Sequence, residues 1–332
     1  MRIAIVKLSA LGDIVQSMVV LQFIKKLKPD LTIDWIIEDS YKDLLKSNSD
    51  INHIHVVKIK NAKNKKSIKL LFIELMRVHK IEPYDLVIDM QGLIKSAIIA
   101  RIIPSKVTLG YDKNSLRESF AAIFYNKKFA IDYSENIIKR NFSIVMYALG
   151  LPAEIDVVFN KLPFLFSSNH YYLDTPSNNK KNILLIVGAS FQSKCYPFDR
   201  FIELINSLDA NYFVAWNNAK ERTIAFKIKS EASNLIILQK LSLDELISVT
   251  GQMNLVIGPD TGPTHIAWGL NVPSITIFGP TPGYRNCFVT DINKVVESKT
   301  KVNPYKVNKN DFSIKNIEVS DIVKISQKLL EI

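Results

Sequence analysis

The chain has 332 residues, 47% of them hydrophobic, which is enough for two soluble domains that each bury a core. Its two cysteines, Cys195 and Cys287, are too few for a zinc cluster or a disulfide framework, and we expect both thiols to be reduced in a cytoplasmic setting. The net charge of +11 favours an anionic partner, whether nucleic acid, a phosphorylated substrate or an acidic membrane surface.

The chain begins with a strand-helix-strand pattern. An apolar strand at 2–7 leads through a turn ending at Asp13 into a helix, whose apolar residues recur every three or four positions until Pro29. A second strand follows at 31–37, as in a parallel sheet. Charge interrupts the first strand too early for a signal peptide, and no apolar run approaches about 18 residues, so we expect neither export nor a membrane span. Gly12 stands alone where a dinucleotide-binding turn needs three glycines, which argues against a nicotinamide or flavin enzyme.

Lysines are concentrated between His55 and Lys69, a segment without acidic residues. We interpret it as a loop that is either a solvated surface run or a binding surface for an anion. After a helix and a further strand at 84–90, Lys95 follows a strand end. Because ligands gather at the carboxyl ends of strands in open α/β sheets, Asp13, Lys95 and the lysine-rich loop are predicted to line one cleft. An RNA-binding surface would interleave aromatic residues for base stacking, and this segment has none.

The second half begins after a polar break at Pro176–Asn179, where we place the linker. A new strand at 181–187 leads into a loop containing Lys194, and a strand-helix-strand unit spans 254–278. Its first turn, Asp260–Gly262, brings free backbone N–H groups to the positive end of a helix, which suits a diphosphate, although any doubly wound domain has such turns. A second turn at Gly279–Thr281 falls at the same sheet edge, so both turns are predicted to face one ligand.

Among the enzymes that bind a diphosphate, a transferase that uses a nucleotide sugar would need a base for the acceptor hydroxyl and positive groups around the departing diphosphate. Many such enzymes hold the diphosphate through a metal bound by an Asp-x-Asp motif, and this sequence contains none. Lys194 and the helix N-terminus after Asp260–Gly262 are the alternative sources of positive charge, and they would make transfer independent of metal.

Five stretches resemble the signatures of the bacterial ADP-heptose lipopolysaccharide heptosyltransferases: Lys7–Asp13, Asp34–Glu38, Asp89–Ala97, Phe124–Lys127 and Asp260–His265. The resemblance runs from residue 1 to about 285. Its Asp89–Ala97 stretch is most similar to the heptosyltransferase I members of the family.

The resemblance implies an α/β fold of GT-B architecture, with two doubly wound Rossmann-like domains facing a central cleft. The acceptor-binding domain would span 1–165 and the nucleotide-sugar-binding domain 180–317, while a C-terminal helix at 318–332 could pack back on the N-terminal domain. The implied reaction is inverting, metal-independent transfer of L-glycero-D-manno-heptose from ADP-heptose to Kdo of Kdo-lipid A, in the lipopolysaccharide inner core. The implied protein is a peripheral monomer on the cytoplasmic face of the inner membrane, with no cofactor and no nucleic-acid partner.

Two alternatives stay open at this point. A related heptosyltransferase could act later in the core, as heptosyltransferase II does on the first heptose. Outside the enzymes, a non-catalytic nucleotide-sugar or RNA-binding protein would also suit the positive charge.

The resemblance and the strand-end positions together give three groups of site residues. Asp13 is predicted to be the general base, with helix capping as its alternative role, and Glu38 and Asp39 are next in line as bases. Lys194 is predicted to support catalysis by neutralising the leaving diphosphate. The predicted donor-binding residues are Ser190, Lys194, Glu221, Asp260, Thr261, Gly262 and His265, although His265 could merely be satisfied by a neighbouring backbone group. The predicted acceptor-binding residues are Lys58, Lys60, Lys63, Lys65, Lys66, Lys95 and Arg117.

Overall fold

The computed structural model describes residues 1–331, which divide into two compact units, one spanning Met1–Phe164 and the other beginning at Leu165. The elements of the first unit are β1 (Arg2–Val6), α1 (Leu11–Met18), α2 (Val20–Leu27), β2 (Thr32–Glu38), β3 (His53–Val57), α3 (Ile59–Asn64), α4 (Ile68–His79), β4 (Tyr84–Asp89), α5 (Ile94–Ile102), β5 (Ser105–Tyr111), β6 (Lys127–Phe129) and α6 (Ile137–Leu149).

The second unit repeats this alternation of strands and helices. Its elements are β7 (Asn182–Ile186), α7 (Phe198–Ser207), β8 (Asn211–Ala215), α8 (Ala219–Glu231), β9 (Leu235–Ile237), α9 (Leu243–Gly251), β10 (Leu255–Pro259), α10 (Gly262–Gly269), β11 (Ser274–Phe278), α11 (Gly283–Asn286), β12 (Asn293–Glu297) and α12 (Val319–Leu330).

Each unit is built on a six-stranded parallel sheet with a doubly wound strand order. The order is β3-β2-β1-β4-β5-β6 in the first sheet and β12-β11-β10-β7-β8-β9 in the second. The central strands are continuous apolar runs because helices cover both faces, and Ile3, Ile5, Leu184 and Ile257 are fully buried. The winding direction reverses between β1 and β4 and between β7 and β10. The loops that leave these strands therefore form the crevice in which such folds bind ligands.

The lysine-rich segment is not the loop that we predicted. His55 lies within β3, and the residues after it form the short helix α3. Apolar contacts explain why this segment is a helix rather than a loop, because Ala62 is buried and Ile59 packs against the core of this unit. The Glu38 carboxylate accepts a hydrogen bond from the Lys60 amide at 3.2 Å, and a negative charge at a helix N-terminus is stabilising.

The helix predicted between Asp13 and Pro29 is divided at Val19 into α1 and α2, although the Val19 backbone is still right-handed helical. The Ser17 hydroxyl donates to the Asp13 carbonyl at 2.6 Å, a side-chain bond of the kind that often bends helices.

The segment before β7 belongs to the second unit. The Asp244 carboxylate on α9 accepts hydrogen bonds from the Ser168 amide at 3.0 Å and the Asn169 amide at 3.1 Å. Gln252, at the end of the same helix, donates to the Tyr171 carbonyl at 2.8 Å. These bonds explain why the second unit begins at Leu165.

The C-terminal helix α12 packs within the second unit. Its residues Ile322 and Leu330 are buried in the core of the second unit together with Ile317 and Val319. Helix α7 is its neighbour there.

Candidate active site

Asp260 is the centre of a buried polar cluster at the crevice of the second sheet. It follows β10, and Lys194 lies in the loop that follows β7, so the two residues leave the two strands between which the winding reverses. Lys194 Nζ lies 2.7 Å from Asp260 Oδ2, and the Lys194 side chain is only 12% exposed. The topology thus brings together two residues that are 66 positions apart.

Three further side chains hold the Asp260 carboxylate. His265 Nε2 lies 3.1 Å from Oδ1, while the Thr281 hydroxyl and the Asn286 amide donate to Oδ2 at 2.8 Å and 3.3 Å. The turn at Gly279–Thr281 therefore meets the turn after β10. The alternative for His265 was a hydrogen bond to a neighbouring backbone group. In the structure its ring contacts the Asp260 carboxylate, which is a stronger partner.

The charge state of Asp260 follows from these contacts. Burial by itself would raise the pKa of this carboxyl, but the Lys194 ammonium and the His265 hydrogen bond outweigh burial and hold the pKa well below its usual range. The carboxylate is therefore ionised at neutral pH, and its negative charge fixes the position of the Lys194 ammonium.

We expect the Asp260 carboxylate to stabilise the second unit in a pH-dependent way. Because its pKa is lower in the folded than in the unfolded chain, its contribution is complete above about pH 4 and is lost as the pH falls. Wild type should therefore unfold at a higher temperature than Asp260→Asn at neutral pH, and the gap should shrink by about 3 °C or more between pH 5 and pH 3. Thermal unfolding measured by circular dichroism tests this, and a constant gap would contradict it.

Helix α10 begins immediately after Asp260. Thr261 is its N-cap residue but makes no side-chain cap hydrogen bond, and Gly262 is the first helical residue. The first N–H groups of a helix have no partner within the helix and carry the positive end of its dipole. Thr261 and Gly262 are half-buried, so this N-terminus with Lys194 beside it can accept an anion.

Two other predicted donor residues lie near the end of β7. Glu221 accepts hydrogen bonds from the Asn217 amide at 2.7 Å and from Asn218 Nδ2 at 2.6 Å. Its carboxylate lies against Gly188, where an added Cβ would meet the Glu221 side chain and require it to shift. Ser190 is exposed in the same loop as Lys194.

In the first unit, Gln91 and Lys95 organise the turn after β1. Gln91 Oε1 accepts hydrogen bonds from the amides of Leu8 at 2.8 Å and Ser9 at 3.1 Å. Lys95 Nζ donates to Ser9 Oγ at 2.9 Å. Gln91 and Lys95 follow β4, so both contacts cross the point where the first sheet reverses its winding.

Asp13 lies at the end of this turn, in the first turn of α1. Its side chain is exposed, and Oδ2 accepts a hydrogen bond from the Ala10 amide at 3.3 Å. This is the contact of a capping residue, and it is long and uses one carboxylate oxygen. The arrangement is compatible with capping and with a role as a base.

The two carboxylates named as next bases have other partners. Both oxygens of Glu38 lie 3.2 Å from the Lys60 amide, and burial raises the pKa of Glu38 against the opposing effects of that amide and of the Lys95 charge. Asp39 forms an ion pair with Lys42 at 2.8 Å, which lowers its pKa. Of these three carboxylates, Asp13 is therefore the one that is both exposed and outside an ion pair.

The other predicted acceptor residues are exposed at the same edge of the first sheet. Arg117 follows β5 and lies 3.8 Å from Glu118, whose carboxylate accepts a hydrogen bond from the first amide of α5. The lysines of the segment after β3 are all exposed, and the structure brings them to the strand ends that carry Asp13 and Lys95: Lys58, Lys60, Lys63, Lys65 and Lys66.

The chain is similar to known proteins along its whole length. Residues 74–314 match glycosyltransferase family 9 (heptosyltransferase). Lipopolysaccharide heptosyltransferase 1 of Campylobacter coli is 41% identical, over 99% of each chain. The chain belongs to glycosyltransferase family 9. Lipopolysaccharide heptosyltransferase 1 of Escherichia coli K12 is 26% identical over 85% of this chain and 89% of that one.

This family 9 member also shares its fold with a solved structure. The Escherichia coli heptosyltransferase WaaC with ADP superposes with a TM-score of 0.80 at 21% identity, over 99% of this chain and 100% of that one. The predicted α/β fold of GT-B type, with two Rossmann-like units, is confirmed. So is the prediction that the protein is a glycosyltransferase.

Three residues of the clusters around Asp260 and the turn after β1 were not among the predicted site residues. These residues are Gln91, Asn286 and Thr281, of which only Thr281 falls in a turn that the sequence predicts to face the ligand. Each follows a parallel strand of its sheet, which is the signal that could have singled it out. Within residues 1–331, no cluster of three or more His, Cys, Asp or Glu side chains is arranged to hold a metal ion.

Proposed function

We propose that this family 9 glycosyltransferase transfers L-glycero-D-manno-heptose from ADP-heptose to Kdo of Kdo-lipid A, in synthesis of the lipopolysaccharide inner core. The 41% identity with the Campylobacter coli lipopolysaccharide heptosyltransferase 1, over 99% of each chain, carries the proposal. The catalytic and binding roles below are part of the same proposal and are supported by the contacts around Asp260 and Asp13.

The diphosphate of the donor would bind at the N-terminus of α10. Backbone N–H groups of Thr261 and Gly262 and the Lys194 ammonium offer it positive charge from the protein itself, without a metal ion. Asp260 is predicted to bind the donor, but its carboxylate is buried and already holds the Lys194 ammonium. We propose that Asp260 positions Lys194 and that Glu221 and Ser190 bind hydroxyl groups of the donor.

Transfer would proceed by a single displacement. The Kdo hydroxyl oxygen attacks the anomeric carbon of heptose, and the bond from that carbon to the β-phosphate oxygen breaks, so the anomeric configuration inverts. The Asp13 carboxylate takes the hydroxyl proton, and the electron pair of the broken bond leaves with ADP. Lys194 and the α10 N-terminus stabilise the negative charge that grows on the diphosphate.

The acceptor would bind to the basic edge of the first unit. Kdo-lipid A carries carboxylates and phosphates, and the lysines after β3 are exposed and have Lys95 and Arg117 at the same edge. A lipid acceptor also supports a peripheral position on the cytoplasmic face of the inner membrane. No helix among residues 1–331 is long and apolar enough to cross a bilayer.

Neutralising Lys60 and Lys63 together, as Lys60→Ala/Lys63→Ala, should weaken acceptor binding. We expect the KM for Kdo-lipid A to rise roughly tenfold, with more effect at low salt, because each exposed lysine near a polyanion contributes a modest attraction. The KM for ADP-heptose should not change. The exposed pair Lys324 and Lys328 on α12, replaced by alanine, is a control of equal charge. A change in the donor KM instead would contradict the assignment of this surface to the acceptor.

One assay tests the function itself. The purified chain is incubated with ADP-heptose and either Kdo-lipid A or the acceptor that already carries the first heptose, and ADP release is measured. Release with Kdo-lipid A is expected. Release only with the heptosylated acceptor would identify a later core heptosyltransferase, and no release with either would overturn the proposal.

A further inference from the structure

Helix α4 presents large apolar side chains to solvent. Ile68 is 83% exposed, Phe72 is 62% exposed and Ile73 is 48% exposed, and Met76 is exposed as well. A helix that packs on a sheet ordinarily turns such residues inward and covers its outer side with polar residues. The outer side of α4 is therefore unlike that of a helix surrounded by water.

These apolar residues form one continuous patch. Ile68, Phe72 and Met76 are spaced four residues apart and make a row along the helix, with Ile73 beside it. The opposite side of α4 reaches the core of the unit through the buried Val78. Single exposed apolar residues are common on proteins, but a contiguous patch rimmed by polar groups marks an interaction surface.

The rim of this patch is strongly basic. Helix α3 packs against α4 and belongs to the lysine-rich segment, whose exposed lysines are Lys58, Lys60, Lys63, Lys65, Lys66 and Lys69. The one acid within α4, Glu74, pairs with Arg77 at 2.7 Å and accepts a hydrogen bond from the Lys58 amide at 3.1 Å. Positive charge around the patch is thus not offset by exposed carboxylates of the helix.

We infer that the outer side of α4, together with the lysines of the α3 segment, docks the protein on an anionic lipid bilayer. The row of Ile68, Phe72 and Met76 enters the boundary between headgroups and acyl chains, while the lysine ammonium groups contact lipid phosphates. The docking deepens the proposed function, in which the acceptor is a membrane lipid, because it would hold the acceptor-binding edge of the first unit at the bilayer surface.

Charge favours a bilayer over a second copy of the chain as the occupant. Two copies that met through their α4 patches would bring two sets of lysines together, and this repulsion would oppose association. An anionic surface complements the apolar patch and its basic rim at once.

Co-sedimentation with vesicles tests the docking without any substrate. The full chain is mixed with vesicles of phosphatidylcholine alone or with about one-third phosphatidylglycerol. We expect binding to the anionic vesicles that falls about tenfold for Ile68→Ser/Phe72→Ser, since two apolar side chains no longer leave water. About 0.5 M NaCl should also weaken binding. Phe226→Ser, which removes a 52% exposed phenylalanine from α8 in the second unit, is the matched control and should bind like wild type.

Each other outcome counts against the docking surface. Equal binding by the double variant and wild type would overturn it, and so would a wild-type chain that ignores anionic vesicles. The docking surface would also be contradicted if light scattering showed that the wild-type chain self-associates and binds vesicles weakly, and that Ile68→Ser/Phe72→Ser abolishes the self-association. ADP release from detergent-dispersed Kdo-lipid A is measured in parallel, and the double variant should retain it. Loss of the proposed activity with vesicle binding intact would therefore be distinguishable from loss of docking with activity intact.

Discussion

Asp13→Asn should fold normally and bind ADP-heptose while losing most of its turnover. Asparagine caps a helix nearly as well as aspartate, so the hydrogen bond from the Ala10 amide can persist. An amide cannot accept the acceptor proton, and a positioned base contributes on the order of 10² or more to kcat. The measurement is kcat and both KM values from ADP release, with circular dichroism and ADP binding as checks on folding and on the donor site.

Asp39→Asn is the matched control for this experiment. Asp39 follows β2 at the same edge of the first sheet, but its carboxylate forms an ion pair with Lys42. We expect its loss to leave kcat nearly unchanged. Near wild-type turnover of Asp13→Asn would reduce Asp13 to a helix cap. A large loss in Asp39→Asn would move the base to that residue.

Lys194→Ala should lower kcat far more than it raises the KM for ADP-heptose. The Lys194 ammonium is almost enclosed and is held 2.7 Å from Asp260, so it is oriented before substrate binds. Charge on the diphosphate grows toward the transition state, and interactions that strengthen there appear in kcat. Removal of one such group typically costs on the order of 10² to 10³ in rate.

The structure also dictates the controls for Lys194→Ala. Without the lysine, Asp260 loses its main cation, and the second unit should be less stable, so thermal unfolding must show that the variant is folded at the assay temperature. Lys324→Ala removes an exposed lysine from the same unit and should be neutral. Wild type is assayed in EDTA as well, where full activity is expected. A loss confined to the donor KM, or strict dependence on added magnesium, would contradict the role given to Lys194.

The patterns that the sequence determined by itself are local. Strand periodicity and turn residues lie within a few positions of one another, which is why the β10-α10-β11 unit and the turn at Asp260–Gly262 were predicted correctly. The family could be predicted from the sequence for the same reason, because its signature motifs are short and contiguous. The sequence also shows that the segment between His55 and Lys69 is rich in lysine, but it does not show which secondary structure this segment forms. Charge density predicts a solvated loop, whereas Ile59, Ala62 and the Glu38 carboxylate make the segment helical.

The tertiary structure decided which distant residues meet. Lys194 contacts Asp260, 66 positions further along the chain, because β7 and β10 are neighbouring strands and the loops that follow them lie side by side. Gln91 contacts the amides of Leu8 and Ser9, 83 and 82 positions earlier, because β1 and β4 are neighbours in the same way. No local periodicity encodes strand order. For α4, packing in the folded chain decides that Val78 turns to the core and Phe72 to solvent. Burial depends on what else the chain brings to a helix, which is a property of the whole fold.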